Sequence, residues 1–437
     1  HTGSMTGSDA VIDAMLKQKG VIRVNSYDEL IQTASLFSKN QIPKGDRLGI
    51  LSSSGGAGII MADHYTKLGL TVPEPSKKTI ELASKEMAAF GTVANPFDLT
   101  GQIFSDPEMF KRCFNYFIED ENFDIIQVNM SMVAGQGSVN RALQLLEVAS
   151  ESLKPVVAWW AAGSLSNPGI QILNKSEVAS FKSPDRCAAA VKALVNYHLA
   201  AQTAAQDAEN VNEPDVSIDQ DQAKKILDTA DTTLSEHESK ALLELYGIPV
   251  TREKIVNCVD DAVAFADQIG FPVVLKIDSP DILHKTEADV IRLGVTCAED
   301  IATAYPEIMD NAARYNPEAR INGVAVQEMI IGGTEIIAGM SQDPQFGPTI
   351  AFGLGGIFVE VLKDISLRIT PLSKPEAKKM VRQIKGYPIL EGIRGKSRAD
   401  IEAVENLLLR LSQLACDWKD YIAEIDINPL IVLDKGC

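Results

Sequence analysis

One segment of the chain combines a lysine and a histidine in positions that suit phosphate chemistry. The apolar run that starts at Gly270 and ends in Lys276 predicts a buried strand, and His284 follows eight residues later in a polar loop. A lysine ammonium group is a point charge that can bind the phosphates of a nucleotide. A neutral imidazole can act as a nucleophile toward phosphorus. The segment therefore indicates phosphoryl transfer, with a chance lysine on a strand and a solvated loop histidine as the alternative.

Two acidic groups predict a metal ion near such phosphates. Glu360 and Asp364 lie four residues apart, and Glu424, Asp426 and Asn428 alternate in the segment EIDIN. Alternate residues of a strand point to the same face, so the three alternating side chains could meet a Mg²⁺ ion held between phosphates. A solvated strand face is the alternative, but the apolar residues on both sides of EIDIN weaken it. Acidic clusters together with a strand lysine favour phosphoryl transfer.

A third segment could bind the base of a nucleotide. The short strand that ends in Gln327 and Glu328 precedes a turn with Gly332 and Gly333. Such a strand could present main-chain amide and carbonyl groups to the edge of an adenine ring, although runs of this kind also arise by chance. We expect the ATP-binding residues to be Lys276, Gln327, Glu328 and Glu335.

A glycine-rich loop in the first half of the chain is a candidate anion site. The residues from Ser52 to Gly58 follow an apolar strand and open a helix, so free amides and the positive helix end could face an anion. The loop matches neither the Walker A nor the GxGxxG pattern, and a tight turn without a ligand is the alternative. The predicted phosphate-loop residues are Ser53, Ser54, Gly55 and Gly56.

Bulk composition limits the class of protein. The 437 residues suffice for two or three domains, and 45% hydrophobic with 23% charged residues is typical of a globular protein. A net charge of −18 without a basic stripe argues against a nucleic-acid or acidic-membrane partner. We find no apolar run of the roughly 18–20 residues that span a membrane, and expect no signal peptide. Six cysteines without CxxC spacing predict reduced thiols and a cytoplasmic location.

The order of apolar strands and amphipathic helices divides the chain. From about residue 44, strands alternate with helices, which predicts an α/β region with a parallel sheet covered on both faces. The stretch from Asn196 to about Thr232 is rich in Ala, Gln and Asp, which predicts a helix end and a linker between domains. Ser235 precedes Glu238 by three residues, a capping-box pattern that predicts the start of a helix and of a second, mixed α/β region.

Together these motifs resemble the ADP-forming acyl-CoA synthetases of the succinyl-CoA synthetase superfamily. The resemblance rests on HTGSMTGSDAV, GILSSSGGAGI, NPFDLTG, VVLKI with ILHKTEA, QEMIIGGTEIIAGM and EIDINPL. It implies an α/β fold in which flavodoxin-like CoA-ligase domains with a parallel sheet precede an ATP-grasp α+β domain. The implied regions are the end of one flavodoxin-like domain (1–43), a second such domain (44–200), a linker (201–232) and the ATP-grasp domain (233–437). The family's N-terminal CoA-binding domain is expected to be absent from the chain.

The resemblance also assigns roles to residues. His1 matches the family's phosphorylated histidine, and His284 matches a second histidine that can relay the phosphoryl group. Many relatives have Gly-Gly where this chain has Asp289 and Val290, so the His284 loop is expected to be stiffer and more acidic. The implied metal-binding residues are Glu360, Asp426 and Asn428.

The implied activity is acid–CoA ligation that forms ADP, with ATP, Mg²⁺ and CoA required and a small carboxylic acid as substrate. We expect a cytoplasmic homo-oligomer. Trp159 and Trp160 suggest an aromatic surface for a cationic acid, such as a sulfonium acid cleaved after CoA activation; core tryptophans are the alternative. A further alternative is the ligand-sensing module of a protein acetyltransferase.

Overall fold

The structure is a computed structural model that describes residues 8–39, 41–87, 93–209, 218–282, 284–356, 362–393 and 397–437. It divides into two compact units. The parallel-sheet unit comprises Lys19–Ala205, and the two-sheet unit comprises the chain up to Gln18 together with Gln206–Cys437. His1 and Glu360, both predicted site residues, lie outside the described residues.

The parallel-sheet unit alternates strands and helices, as the sequence predicts. Helix α1 (Asp9–Gln18) precedes it and belongs to the two-sheet unit. The elements that follow are α2 (Tyr27–Lys39), β1 (Leu48–Ser52), α3 (Gly55–Lys67), α4 (Lys77–Ser84), β2 (Phe97–Asp98), α5 (Gln102–Ser105), α6 (Pro107–Glu119), β3 (Ile125–Met130), α7 (Gly135–Ala149), β4 (Val156–Trp160), α8 (Asn167–Asn174), β5 (Ala179–Phe181) and α9 (Pro184–Glu209).

The strands described in this unit are all parallel, in the order β2-β1-β3-β4-β5. Helices cover both faces of the sheet, so every residue of β1, β3 and β4 is buried. Two apolar cores result, one on each face; neighbouring residues such as Ile50 and Leu51 belong to different cores. This is the flavodoxin-like strand order, and ligands of such sheets bind beyond the carboxyl ends of the strands where the order reverses, here between β1 and β3.

The two-sheet unit contains the remaining elements. They are α10 (Gln220–Leu227), α11 (Glu236–Leu245), β6 (Glu253–Val256), α12 (Val259–Ile269), β7 (Val273–Asp278), β8 (Ile291–Val295), α13 (Ala298–Tyr315), β9 (Gly323–Glu328), β10 (Thr334–Asp343), β11 (Gly347–Leu354), β12 (Ile365–Ile369), α14 (Lys374–Gln383), α15 (Tyr387–Leu390), α16 (Ile401–Asp417) and β13 (Glu424–Val432). The predicted linker, residues 201–232, includes the end of α9 and all of α10, and the predicted domain bounds stay a prediction.

Two antiparallel sheets give this unit its architecture. The β7 sheet has the order β6-β9-β7-β8, and the β10 sheet has the order β12-β11-β10-β13. Val273, Leu275 and Ile277 of β7 lie in an apolar core with residues of α12 and α13. Since side chains alternate along a strand, Lys276 lies on the opposite face of β7.

The β10 sheet has one covered and one open face. Ile336, Ala338 and Met340 of β10 are buried in a core with residues of α14 and α16. The open face carries the intervening residues, among them Gly339. A Cβ atom at Gly339 would lie 2.8 Å from the carbonyl oxygen of Ile425, so a glycine is needed where β13 passes β10 so closely.

Helix α11 connects these two sheets within the unit. Its capping box is present: the Ser235 side chain accepts from the Glu238 N–H, and the Glu238 carboxylate accepts from the Ser235 N–H. The carboxyl end of α11 is fixed to α16, because the Tyr246 hydroxyl donates to Asp417 at 2.9 Å and accepts from Trp418 at 2.8 Å. The amino end, which begins at Glu236, is thereby held in place beside the β7 sheet.

Within the described ranges, no helix has the length and apolar character that crossing a membrane requires.

Candidate nucleotide and phosphoryl-transfer site

Lys276 occupies the position that the sequence predicts, on a buried strand of the β7 sheet. Its side chain is buried, and its Nζ donates a hydrogen bond to Oε1 of Glu236. Burial lowers the pKa of Lys276, and the Glu236 carboxylate opposes that shift. The strand therefore delivers one cation to a fixed point opposite the helix-covered face.

Glu236, the first residue of α11, binds three lysines at once. Besides Lys276, its carboxylate accepts from Lys285 at 3.0 Å and pairs with Lys240 at 3.0 Å. Burial alone would raise the pKa of Glu236, but the three lysines hold it well below its usual range. The carboxylate also lies in the first turn of a helix, where the helix dipole favours negative charge. This cluster of Glu236 with Lys240, Lys276 and Lys285 is called the lysine cluster below.

Lys240 ties the cluster to the edge of the β7 sheet. Its Nζ donates to Gln327 Oε1 at 2.9 Å, to Thr251 Oγ1 at 3.1 Å and to the Glu253 carboxylate. Burial would lower the pKa of Lys240, but Glu236 and Glu253 raise it above its usual value. Gln327, a predicted ATP-binding residue, is thus joined to the site of Lys276 through Lys240.

The loop that carries His284 is a compact turn. The His284 carbonyl accepts from the Ala288 N–H at 3.1 Å, and the Lys285 carbonyl accepts from the Val290 N–H at 3.0 Å. His284 itself is exposed. Its neighbour Lys285 donates to Glu236, so the loop is attached to the same carboxylate as Lys276. The exposed imidazole therefore follows directly after a residue of the lysine cluster.

Asp289 stabilises this loop through hydrogen bonds to two other residues. Its carboxylate accepts from Arg292 at 2.8 Å and from Asn311 at 3.0 Å, and its carbonyl accepts from the same Asn311 amide at 2.9 Å. Asp289 has a φ of +53°, in the left-handed region that glycine adopts freely. These contacts agree with the expectation that Asp289 stiffens the loop relative to a glycine.

The acidic residues lie on the open face of the β10 sheet. Asp426 is paired with Gly339 and Glu424 with Ser341, so both carboxylates share the open face with exposed Glu335. Loss of water around its carboxyl group and the nearby Glu424 raise the pKa of Asp426, and a hydrogen bond from Asn428 acts in the opposite direction. The pairing puts Glu424 and Asp426 on one face, as the alternation predicts.

This donor set fits a magnesium ion. One or two carboxylates together with phosphate oxygens and water are the ligands that Mg²⁺ takes in nucleotide sites, and Asp426 with Asn428 offers one carboxylate and one amide oxygen. Among the described residues, no group of three or more His, Cys, Asp or Glu side chains could hold a metal without such additional ligands.

Two other predicted or neighbouring acids have partners of their own. Glu328 binds Arg252 through its carboxylate, which accepts from the Arg252 N–H at 2.7 Å and from Nε at 2.7 Å. Asp364, which the sequence groups with Glu360, accepts from the N–H groups of Lys385 at 2.8 Å and Gly386 at 2.7 Å. These contacts give Asp364 a structural role in place of the expected role near a metal ion.

The glycine-rich loop of the parallel-sheet unit lies at the reversal of strand order. Ser53 follows β1 and Ser131 follows β3; the Ser131 N–H donates to Ser53 Oγ at 2.8 Å, and Ser53 Oγ donates to the Ser131 carbonyl at 3.3 Å. Among the described residues, Ser54 makes no side-chain cap to α3. A Cβ atom at Gly55 would lie 2.9 Å from the Asp98 carboxylate, whereas at Gly56 the space is open. Open space beside the amino end of α3 suits an anion.

Trp159 and Trp160 are core residues. They end β4 and point to opposite faces of the parallel sheet, with only 6% and 1% of their surfaces exposed. Neither ring offers an exposed face to a substrate. The core role that the sequence leaves open as an alternative therefore accounts for both.

Two family models match the chain. One is described as an ATP-grasp domain and matches residues 225–437; the other is described as a succinyl-CoA ligase like flavodoxin domain and matches residues 1–37.

Similar proteins extend these matches. Acetate–CoA ligase [ADP-forming] II subunit beta of Pyrococcus furiosus is 46% identical over 213 residues, which cover 49% of this chain and 90% of that protein. This chain belongs to the family of ADP-forming CoA ligases. Acetate–CoA ligase [ADP-forming] I of Archaeoglobus fulgidus is 37% identical over the whole chain, which spans 62% of that relative. A solved structure of dinucleotide forming acetyl-coenzyme A synthetase 1 from Ca. Korarchaeum cryptofilum is 42% identical, covers 50% of this chain and 94% of that chain, and has a TM-score of 0.48.

Membership of the ADP-forming CoA ligases confirms the resemblance read from the motifs, and the predicted fold class is confirmed as well. The named relatives are CoA ligases, which lends no support to a sulfonium lyase or to a sensing module of an acetyltransferase. Sequence reasoning missed Glu236 and Lys240. The capping box located the helix that carries them, but only the folded chain brings that helix to Lys276.

Proposed function

We propose that this chain carries out the nucleotide-dependent part of ADP-forming acid–CoA ligation. In this reaction a histidine nitrogen attacks the γ-phosphorus of ATP, an N–P bond forms, and the P–O bond to ADP breaks. A carboxylate oxygen of the acid then takes the phosphoryl group from the histidine. Finally the CoA thiol attacks the acyl carbon, phosphate leaves, and the thiol proton passes to solvent. The phosphohistidine divides one difficult transfer into easier steps.

The observation that carries the proposal is the lysine cluster within the ATP-grasp region, next to His284. Lys276 and Lys285 are two cations on different elements that meet at one point. Cations at such a point stabilise the charge that develops on a transferring phosphoryl group. Gln327, joined to Lys240, lies at the end of the strand that we propose to border the adenine ring. Glu328 contributes there through its main chain, since its side chain binds Arg252.

Asp426 and Asn428 would hold Mg²⁺ on the open face of the β10 sheet, with Glu335 nearby and Glu360 as a further ligand. The ion would neutralise phosphate charge when bound. The raised pKa of Asp426 supports this role, because it marks a carboxylate whose charge a cation would stabilise.

His1 is the proposed acceptor of the phosphoryl group and His284 the proposed relay. The amino end of α3, with Ser53, Ser54, Gly55 and Gly56, is the proposed place where phosphohistidine meets the acid and CoA. We further propose that the acid is a small carboxylic acid and that the protein works as a homo-oligomer in the cytoplasm. Buried Trp159 and Trp160 remove the reason to expect a cationic acid.

The test uses the whole protein. After incubation with Mg-ATP, acid-labile phosphate is located by peptide mass spectrometry in the wild type and in the variants His1→Asn, His284→Asn and, as a control, His64→Asn. We expect phosphate on His1 that disappears when CoA and a carboxylic acid are added. His284→Asn should change the rate at which His1 is phosphorylated, and His64→Asn should leave that rate unchanged. Intact bound ATP without phosphohistidine at either position would refute the proposal.

A further inference from the structure

Glu236 has no part in the reaction steps above, yet it binds the groups that those steps require. Its carboxylate accepts from Lys276 on β7 and from Lys285 on the His284 loop. Both lysines are the proposed phosphate ligands, and they reach the carboxylate from different elements. A single anion therefore occupies the position where two phosphate-binding cations converge.

The charges around this position are not balanced. Three lysines, Lys240, Lys276 and Lys285, face two carboxylates, Glu236 and Glu253, so the group keeps one positive charge in excess. Removal of the Glu236 charge would leave several partly buried ammonium groups close together, which is unfavourable because like charges repel and burial penalises the charged form. An arriving phosphate would supply the anion that the lysines need.

We propose that Glu236 is a positioning residue that takes the place of a nucleotide phosphate: it holds Lys276 and, through Lys285, the His284 loop until the phosphates of the nucleotide bind both lysines. The inference rests on the proposed function, because it gives the two lysines that role. Glu236 suits the task since α11 is anchored at its other end by Tyr246. The helix start that carries the carboxylate is therefore anchored independently of the lysines.

The pH dependence of nucleotide binding distinguishes this role from a purely structural one. In the wild type, burial lowers the pKa of Lys276, and the Glu236 carboxylate opposes that shift. The charged or titratable groups that face Lys276 from the surrounding elements are Glu236 and Lys240 of α11, Lys285 of the His284 loop, and Glu253 of β6, which also pairs with His237. In Glu236→Gln, the remaining neighbours leave Lys276 with less anionic support, so it loses its proton at a lower pH.

The first experiment measures binding of a non-hydrolysable ATP analogue with Mg²⁺ by calorimetry from pH 6.5 to pH 10. We expect the alkaline loss of affinity to move down by about one to three pH units in Glu236→Gln, with affinity near neutral pH changed only a few-fold. The matched control is Glu244→Gln, which neutralises an exposed carboxylate on the same helix and should keep the wild-type profile. A profile in Glu236→Gln that parallels the wild type at every pH would overturn the proposal.

The second experiment measures hydrogen–deuterium exchange of residues 284–290 without nucleotide. We expect faster exchange in Glu236→Gln and, to the same extent, in Lys285→Met, because both break the attachment of the loop. Lys285→Met keeps Glu236 and its helix start, so it remains informative if Glu236→Gln folds poorly. Unchanged exchange in both variants would overturn the proposal. A wild-type protein that does not bind the analogue would overturn the proposed function and this inference together, whereas normal wild-type binding limits any failure to the inference.

Discussion

The side chain of Gln18 forms two hydrogen bonds with the main chain of Ile369: Nε2 donates to the carbonyl at 3.0 Å, and Oε1 accepts from the N–H at 3.0 Å. Ile369 lies on β12, the edge strand of the β10 sheet. Gln18 thus pairs with an edge that would otherwise present free main-chain groups. It fastens α1, the first described helix after the histidine-bearing start of the chain, to the sheet that carries Asp426.

Gln18→Ala should release α1 from this edge. Two hydrogen bonds of this kind contribute about 1–3 kcal/mol together, so we expect faster hydrogen–deuterium exchange along α1 and little change in α12 or α13. Gln18→Glu should have an intermediate effect, because a carboxylate accepts from the Ile369 N–H but cannot donate to its carbonyl. Lys17→Ala, which removes an exposed ion pair with Asp13, serves as the control. Equal exchange in all three variants would show that Gln18 does not anchor the helix.

The positive φ of Asp289 leads to a second prediction, about the stability of the His284 loop. Asp289→Ala loses the hydrogen bonds that the carboxylate accepts from Arg292 and Asn311 and also strains a backbone conformation that alanine disfavours. Asp289→Gly loses the same bonds but relieves the strain. We therefore expect alanine to destabilise the two-sheet unit by about 1 kcal/mol more than glycine, measured by denaturant unfolding. Both variants should speed exchange of residues 284–290; equal stabilities of the two would contradict the role given to the backbone.

Local patterns predicted much of the site. An apolar run that ends in Lys276 predicted a buried strand, and the alternation of EIDIN predicted that Asp426 and Asn428 lie on one face. The capping box placed the start of α11 because its two hydrogen bonds involve neighbouring residues. Each of these inferences depends on a few consecutive residues, which is why sequence alone sufficed.

The lysine cluster could not be predicted in this way. Glu236 contacts Lys276 and Lys285, which lie 40 and 49 positions away in the chain, and no local pattern encodes such a contact.

The tryptophans show a different difficulty. Adjacent residues of a strand face opposite sides of the sheet, so Trp159 and Trp160 cannot form one aromatic surface once they lie in a strand. Here both faces of the sheet are covered and both rings are buried.

A third prediction concerns the buried ion pair between Arg368 of β12 and Glu376 of α14. Both side chains are buried, and Arg368 Nε donates to Glu376 at 2.7 Å. Glu376→Ala leaves the guanidinium buried without its counter-charge, which should destabilise the two-sheet unit by about 3–5 kcal/mol. The double variant Arg368→Met with Glu376→Ala should recover most of that loss.

The control for this pair is Glu405→Ala, which breaks a more exposed ion pair between α14 and α16, that of Arg382 with Glu405. Pairs near the surface contribute about 0–1 kcal/mol. Denaturant unfolding of the wild type, the single variants Arg368→Met and Glu376→Ala and the double variant gives the coupling energy of the buried pair. If Glu405→Ala and Glu376→Ala are equally destabilising, burial does not decide the strength of these pairs.

Asp426 links magnesium binding to pH. Its pKa is raised above the ordinary aspartate value, so the folded chain binds the proton more tightly than the unfolded chain does. Its contribution to stability is therefore fully present below the unfolded pKa of about 3.9 and is lost as the pH rises through the higher folded value. At neutral pH without metal, Asp426→Asn should raise the free energy of unfolding, by no more than about 0.5 kcal/mol because solvent screens an exposed group.

The same substitution should impair the reaction. Without the carboxylate, Mg²⁺-dependent phosphorylation of the histidine should fall on the order of 100-fold. In the wild type, the Mg²⁺ concentration needed for half-maximal phosphorylation should rise as the pH falls toward the folded pKa of Asp426, because protons compete with the ion. Asp420→Asn, which neutralises an exposed carboxylate shortly before β13, should change neither property. The measurements are thermal unfolding without metal and initial phosphorylation rates over a range of Mg²⁺ and pH. A gain in stability without a loss of phosphorylation would show that the carboxylate of Asp426 is unfavourable in the folded chain for a reason other than metal binding.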